Sequence, residues 1–147
     1  LAILGDVLLS EIGGSMGPLY GYMFTEFARV IADKAEISPA DFSEMLKAGL
    51  AGIEAVGSAK VGDKTLLDTL VPAIAAFDDS VAAGQSFGQS LDVMSAAAEQ
   101  GRDSTINMIA RIGRASRLGE RSLGVLDAGA TSCAIILVTF AKAIQTQ

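Results

Sequence analysis

The chain has 147 residues, half of them hydrophobic, 19% charged and only 5% aromatic, with no Trp and a mean hydropathy of +0.44. That is enough apolar sequence for one substantial core and predicts a single globular domain, and the Ala, Leu, Ile and Gly bias favours close helix packing over a β-sandwich. A net charge of −6 with eleven scattered Lys and Arg excludes a nonspecific nucleic-acid binder, because counterion release needs arrays of basic side chains.

In chain order, Leu4, Val7, Leu8 and Ile12 follow the three-and-four spacing of one helical face, and Gly13-Gly14 stop it. Pro18 suits the first turn of a second helix reaching about Ala35, with Leu19, Met23, Phe24, Phe27 and Ile31 on its apolar side. Ser38-Pro39 opens a third helix, Asp41 standing three residues after the candidate cap, and Phe42, Met45, Leu46, Leu50 and Ile53 carry it towards Gly57. Ser58 to Lys64 reads as a loop, and Leu66, Leu67, Leu70, Ile74 and Phe77 define a fourth helix ending near Gly84. Pro72 is expected to kink that helix or lie in its first turn.

Two further helices are expected, from Phe87 to about Glu99 and from Arg102 to about Ile112, separated near Gly101. The periodicity fails from Gly113 to Asp127. A last helix runs from about Ala128 to Ile144, with Ala134, Ile135, Val138 and Ala141 available to the core. Its most apolar stretch, Cys133 to Ala141, is roughly half of the about 20 residues that a membrane span needs and reads as buried core. No stretch alternates convincingly as a strand. The expected class is all-α, an antiparallel bundle or barrel of helices with short connections.

The chain opens without a basic start and carries Asp6 early, which does not fit a signal peptide, and no membrane partner is expected. Its single cysteine, Cys133, excludes a disulfide framework and fits a reducing cytoplasm. Cys133 has no His to activate it and reads as packing. The absence of any His also excludes a His-dependent hydrolase relay or a His-rich zinc site within this chain. The glycine run GGSMGPLYG, 13–21, lacks the Lys-Ser/Thr ending of a P-loop and follows no strand.

The glycines nevertheless gather in the helix connections. Gly13, Gly14 and Gly17 precede one helix, Gly57 and Gly62 another, Gly113 and Gly119 lie in the irregular segment, and Gly129 opens the last helix. Glycine lets backbone N–H groups approach a ligand, and helix starts favour anions such as phosphate. Each loop taken alone is also explained by a tight turn or a close helix crossing. Arg114, Arg117 and Arg121 fall within the irregular segment, either as a solvated surface or as guanidinium forks for phosphate oxygens. By position alone Asp127 reads as the N-cap of the last helix, and Asp63, Lys64 and Asp68 as ordinary first-turn charges.

Four motifs in this order, GGSMGPLYG (13–21), AKVGDKTLLDTLVPA (59–73), GRASRLGERS (113–122) and DAGATS (127–132), resemble the nucleotide-binding L subunit of dihydroxyacetone kinase. The resemblance covers nearly the whole chain. It implies an all-helical antiparallel barrel whose loops at one end hold ADP or ATP with Mg2+. It further implies phosphoryl transfer to dihydroxyacetone held on a separate K subunit. Relatives take phosphate either from ATP or from a phosphotransferase-system protein that rephosphorylates bound ADP, and a small acidic stand-alone chain resembles the second kind more. Position by position, the resemblance puts Ser15 and Met16 beside the nucleotide phosphates and Gly57 and Leu66 near the adenine and ribose. Arg114 becomes the candidate catalytic guanidinium, and Asp127, Ala128 and Gly129 approach the nucleotide where the last helix begins.

The chain departs from that family at specific places. Met16 stands where relatives usually have Ser, Ala128 where they usually have Pro, and 123–126 lacks the usual His-Gln pair. A thioether cannot donate to phosphate as a hydroxyl does. The family's magnesium aspartates correspond to sequence upstream of Leu1, so no metal ligand is expected within this chain: either the metal-bearing segment is missing or disordered, or the chain is a naturally shortened paralogue. Asp6 lacks companion aspartates. Without metal neutralisation, phosphoryl transfer by these residues alone is not expected. Exposed apolar surface where an upstream helix is missing would drive association, a homodimer included. Two alternatives to the kinase subunit are a noncatalytic regulatory or scaffolding paralogue and the nucleotide domain of a fatty-acid-type kinase, although GDKT and GRASRLGERS fit the dihydroxyacetone branch better.

Overall fold

A computed structural model describes residues 1–146 and is all-α, with no strand among the described residues. Six α-helices follow one another: α1 (Ala2–Glu11), α2 (Met16–Ile31), α3 (Pro39–Val56), α4 (Leu67–Ala82), α5 (Phe87–Ser104) and α6 (Ala128–Gln145). Two 3-10 segments, Thr105–Asn107 and Arg114–Ser122, lie between α5 and α6. Backbone packing divides the chain into two compact units, Leu1–Ser58 and Ala59–Gln147.

In the first unit α2 packs against both α1 and α3. Tyr20, Met23, Phe24 and Phe27 of α2 and Phe42, Met45, Leu46 and Ile53 of α3 are buried at the spacing expected of facing helical stripes. Phe24 and Phe27 meet edge to face with centroids 5.7 Å apart. The α3 start is a full capping box: Ser38 Oγ accepts from the Asp41 N–H, and the Asp41 carboxylate accepts from the Ser38 N–H at 3.0 Å. Lys34 lies 2.6 Å from that carboxylate. The hydrogen bonds from Lys34 and Ser38 hold the Asp41 carboxyl well below the usual range.

Helix α1 differs from its sequence reading. Leu4, Val7 and Ile12 are 44–45% exposed and only Gly5 is buried, so the apolar face is not a core face. Contact with α2 runs through close approaches at glycines instead. A Cβ added at Gly17 would stand 2.0 Å from the Ile12 carbonyl oxygen, and one at Gly21 would stand 2.6 Å from Leu9 Cγ. Gly17 therefore lies inside α2 as a helix-crossing residue and does not precede the helix, and α2 ends at Ile31.

In the second unit α4, α5 and α6 pack pairwise. Leu67, Leu70, Ile74 and Phe77 of α4, Leu91, Met94 and Ala98 of α5, and Ala130, Cys133, Ala134, Leu137 and Ala141 of α6 are buried. Ile135 belongs to the opposite face of α6 and is 59% exposed, contrary to its assignment to the core. By length and composition alone α6 is apolar enough to cross a membrane, and it packs one face as a core helix does.

The expected break at Gly101 is absent, for α5 runs through it to Ser104. A Cβ at Gly101 would sit 2.3 Å from the Asp68 carbonyl oxygen, so this glycine lets α5 close on the start of α4. Pro72 lies within α4 and has no N–H to offer that same carbonyl four residues back. The expected helix from Arg102 to Ile112 does not form: the Thr105–Asn107 turn ends it and Met108 is extended.

Candidate functional site

The loop leading into α4 is built on two buried charges. Asp68, 3% exposed, accepts from the Gly62 N–H at 2.5 Å through Oδ1 and from the Thr65 N–H at 2.7 Å through Oδ2. Lys64 is 2% exposed and adopts φ +63, a left-handed conformation that costs a side-chain-bearing residue roughly 1–2 kcal/mol. Its ammonium donates to the carbonyls of Met108 at 3.1 Å, Val125 at 2.8 Å and Ser122. An ammonium has three donors, and all are used. Asp68 does stand in the first turn of α4, as expected, whereas Lys64 precedes the helix, which corrects its assignment as a first-turn charge; both are buried and build the loop. Asp63 faces the same loop, its carboxylate accepting from the Lys60 N–H at 2.8 Å.

The irregular segment after α5 is an excursion whose two bases are tied together. Gly124 N–H donates to the Ile106 carbonyl at 2.8 Å, and Ala110 N–H donates to Ser122 Oγ at 2.9 Å. Ser122 Oγ in turn donates to the Gly119 carbonyl at 2.6 Å. Arg111 N–H donates to the Asp63 carbonyl at 3.1 Å, joining the excursion to the α4 loop. Gly119, at φ 54, interrupts the 3-10 helix of Arg114–Ser122. Arg114, Arg117 and Arg121 stand exposed on this segment while Ser122 is buried beneath it.

Helix α6 begins where the excursion ends. Asp127 is its N-cap, its Oδ2 accepting from the Ala130 N–H at 2.8 Å, and the Asp127 N–H donates to Thr105 Oγ1 at 3.0 Å. Burial raises the Asp127 carboxyl above its usual pKa, opposed by the Ala130 and Gly129 amides and by the Lys64 charge. Ala128 is exposed. A Cβ at Gly129 would come within 3.3 Å of the Leu66 backbone nitrogen, so the α6 start lies directly on the end of the Lys64 loop. Leu66 itself is 3% exposed. Leu66, Asp127 and Gly129 are therefore brought together, and the arginine segment is anchored to the same loop through Lys64.

In the first unit, Ser15 occupies the N-cap position of α2 but its side chain makes no capping hydrogen bond. It is exposed, Met16 is half-buried, and Gly14 before them takes φ 77. Helices α3, α5 and α6 close their own first turns with Ser38, Ser86 and Asp127, whereas α2 does not. Pro18 has no N–H and the Leu19 N–H donates to the Ser15 carbonyl at 3.2 Å, so in this first turn the Met16 and Gly17 amides are the ones with no capping side chain. Gly57 is the exposed C-cap of α3, its N–H donating to the Ile53 carbonyl at 2.9 Å.

Among the described residues no group of three or more acidic, Cys or His side chains is placed to hold a metal ion. Asp68 is committed to loop amides and Asp127 to its cap. Magnesium does not fit these residues.

Sequence reasoning missed Lys64, Asp68, Ser122 and Thr105 as the parts that hold the site. The first two lay inside a motif already singled out, and their burial was the missing fact.

The DAK2 domain family model matches residues 1–142, and the chain belongs to that family. It is 38% identical over 139 residues to the PEP-dependent dihydroxyacetone kinase ADP-binding subunit DhaL of Escherichia coli, covering 95% of this chain and 66% of that relative. It is 37% identical over 131 residues to a Listeria innocua protein named as the corresponding subunit of dihydroxyacetone kinase 2, covering 87% of this chain and 59% of the relative. Mouse triokinase/FMN cyclase is 34% identical over 147 residues, which is 100% of this chain and 25% of that longer protein. The chain spans 59–66% of the length of these two bacterial subunits.

Proposed function

We propose that this chain is the nucleotide-binding part of a dihydroxyacetone kinase L subunit, holding ADP or ATP while a phosphoryl group passes to dihydroxyacetone on a separate K subunit. The observation that carries this is the fastening of the exposed arginine segment and the α6 start to one buried loop, in a chain of the DAK2 domain family. The relatives named as ADP-binding subunits support the nucleotide.

On this reading Arg114 is the guanidinium contact to the phosphates, through its planar fork of donors. Ser15 and Met16, at the uncapped start of α2, contribute backbone N–H groups to phosphate oxygens. Met16 adds no donor of its own. Gly57 and Leu66 lie near the adenine and ribose. Asp127, Ala128 and Gly129 approach the nucleotide at the α6 start, where the Asp127 carboxylate already accepts from the Ala130 N–H.

Phosphoryl transfer rests on positioning and charge stabilisation. Magnesium, when bound, supplies neutralisation of phosphate charge, and its carboxylates are proposed to lie outside these 147 residues. The names PEP-dependent and PTS-dependent among the relatives support a phosphotransferase-system protein as donor, with ADP retained as coenzyme in the cytoplasm.

Calorimetric titration of the protein with ADP, with and without magnesium, tests the reading. Saturable binding that weakens on Arg114→Ala is expected, and no binding in any condition would favour a noncatalytic scaffold instead. A coupled assay with the K subunit, supplied either with ATP or with the phosphotransferase-system donor, separates the two phosphate sources.

A further inference from the structure

We propose that Lys64 is a positioning residue that sets nucleotide affinity by holding together the two bases of the arginine excursion, and is not itself a phosphate contact. The proposal rests on the nucleotide-binding reading above and adds a part to it.

Three observations carry it. First, the carbonyls that Lys64 binds bracket the excursion: Met108 lies on the outgoing strand of chain, Ser122 and Val125 on the returning one. Everything between, including Arg114, Arg117 and Arg121, projects from a base that this ammonium closes. Second, all three ammonium donors are used and the side chain is 2% exposed, which leaves Lys64 nothing to offer a ligand. Third, the residue holds φ +63, a conformation that persists only where the surroundings over-determine it. The Val125 carbonyl lies two residues before Asp127, so the same clamp also fixes where α6 begins.

The consequence follows from population arithmetic. A ligand that needs the excursion ordered binds with an apparent affinity reduced by the fraction of molecules that have it ordered. If loss of the clamp leaves about one molecule in ten with Arg114 in place, ADP binds about tenfold more weakly.

Lys64→Met keeps the side-chain length and removes the donors. In the full chain, amide exchange is expected to rise across 108–125 while α4, α5 and α6 stay protected, and ADP affinity is expected to fall about tenfold. Arg114→Ala should then cost less in the Lys64→Met background than in the wild type, because both changes remove the same contact, an overlap that a merely structural role would not give. Unchanged exchange across 108–125, unchanged affinity, or penalties that add in full would each overturn the proposal. If Lys64→Met does not fold, Lys64→Gln, which keeps an amide donor, is read by the same three measurements. Wild-type protein that binds no ADP would overturn the functional reading instead, and exchange alone would then decide whether the clamp exists.

Discussion

Gly101 of α5 stands against the Asp68 carbonyl of α4 so closely that a Cβ there would lie 2.3 Å from the oxygen and 2.9 Å from Thr69 Cα. Both neighbours are backbone, so neither can swing aside. Gly101→Ala must push α5 away from the start of α4, and overpacking of this kind costs about 2–3 kcal/mol. Asp68 also holds the Gly62 and Thr65 amides, so the displacement reaches the Lys64 loop. Denaturant unfolding of Gly101→Ala should show that loss, and a stability within about 0.5 kcal/mol of wild type would refute the packing account.

Gly17 gives the second crossing. Alanine there would place its Cβ 2.0 Å from the Ile12 carbonyl and 2.8 Å from that of Leu8. Helix α1 buries only Gly5, so it has little else to hold it and should detach before α2 distorts. For Gly17→Ala, amide exchange is expected to accelerate selectively in 2–11, with α2 and α3 retaining protection. Uniform loss across the first unit would show that α1 is integral to it.

These two glycines also mark the limit of what could be read from sequence. The apolar spacing located α2, α3, α4 and α6, and the Ser38-Pro39-Asp41 start was legible because a capping box is a local signal. Gly101 carried the same letter as a helix stop, and only a partner some thirty residues earlier explains it as a crossing. Lys64 reads as an ordinary first-turn charge because its partners are carbonyls 44 and 61 residues away, and backbone carbonyls leave no trace in composition. Asp127 was legible as a cap from position, whereas its burial, which sets its pKa, was not.

Asp127 makes stability depend on pH with a definite sign. Its folded pKa is raised, chiefly by burial, so the ionised form is disfavoured in the folded state relative to the unfolded one. The cost is absent below the ordinary carboxylate pKa of 3.8, grows as pH rises towards the raised value, and is complete above it. Asp127→Asn keeps an N-cap acceptor without the charge. Its stability relative to wild type should therefore improve as pH rises through that window and then level off. Asp127→Ala should lose about 1 kcal/mol at neutral pH through the missing cap. A wild-type to Asn difference that is flat from pH 3 to 7 would contradict the burial account.

Cys133 is 1% exposed in α6 and burial pushes its thiol up to about 12. Thiolate, not thiol, is the reactive form, so native protein at pH 8 should resist alkylation and react only through opening. Modification is expected to follow the unfolded fraction as denaturant is added. Rapid labelling without denaturant would mean that α6 leaves its place on α4 and α5.

Arg114 is where the functional reading is most exposed to test. The three exposed arginines on the 3-10 segment share one scaffold, so substituting each leaves the others' environment largely intact. If Arg114 forks onto phosphate oxygens, Arg114→Ala removes charge-assisted hydrogen bonds of about 1.5–3 kcal/mol, or roughly ten- to a hundredfold in ADP affinity. Arg114→Lys keeps the charge and loses the fork, so it should fall between Ala and wild type. Arg117→Ala and Arg121→Ala change only the general field, which salt screens, and should cost less than about threefold at 0.15 M salt. AMP, lacking the second phosphate, should respond less to Arg114→Ala than ADP does. Equal losses at all three arginines would instead indicate diffuse attraction, and the guanidinium at 114 would then hold no special place at the phosphates.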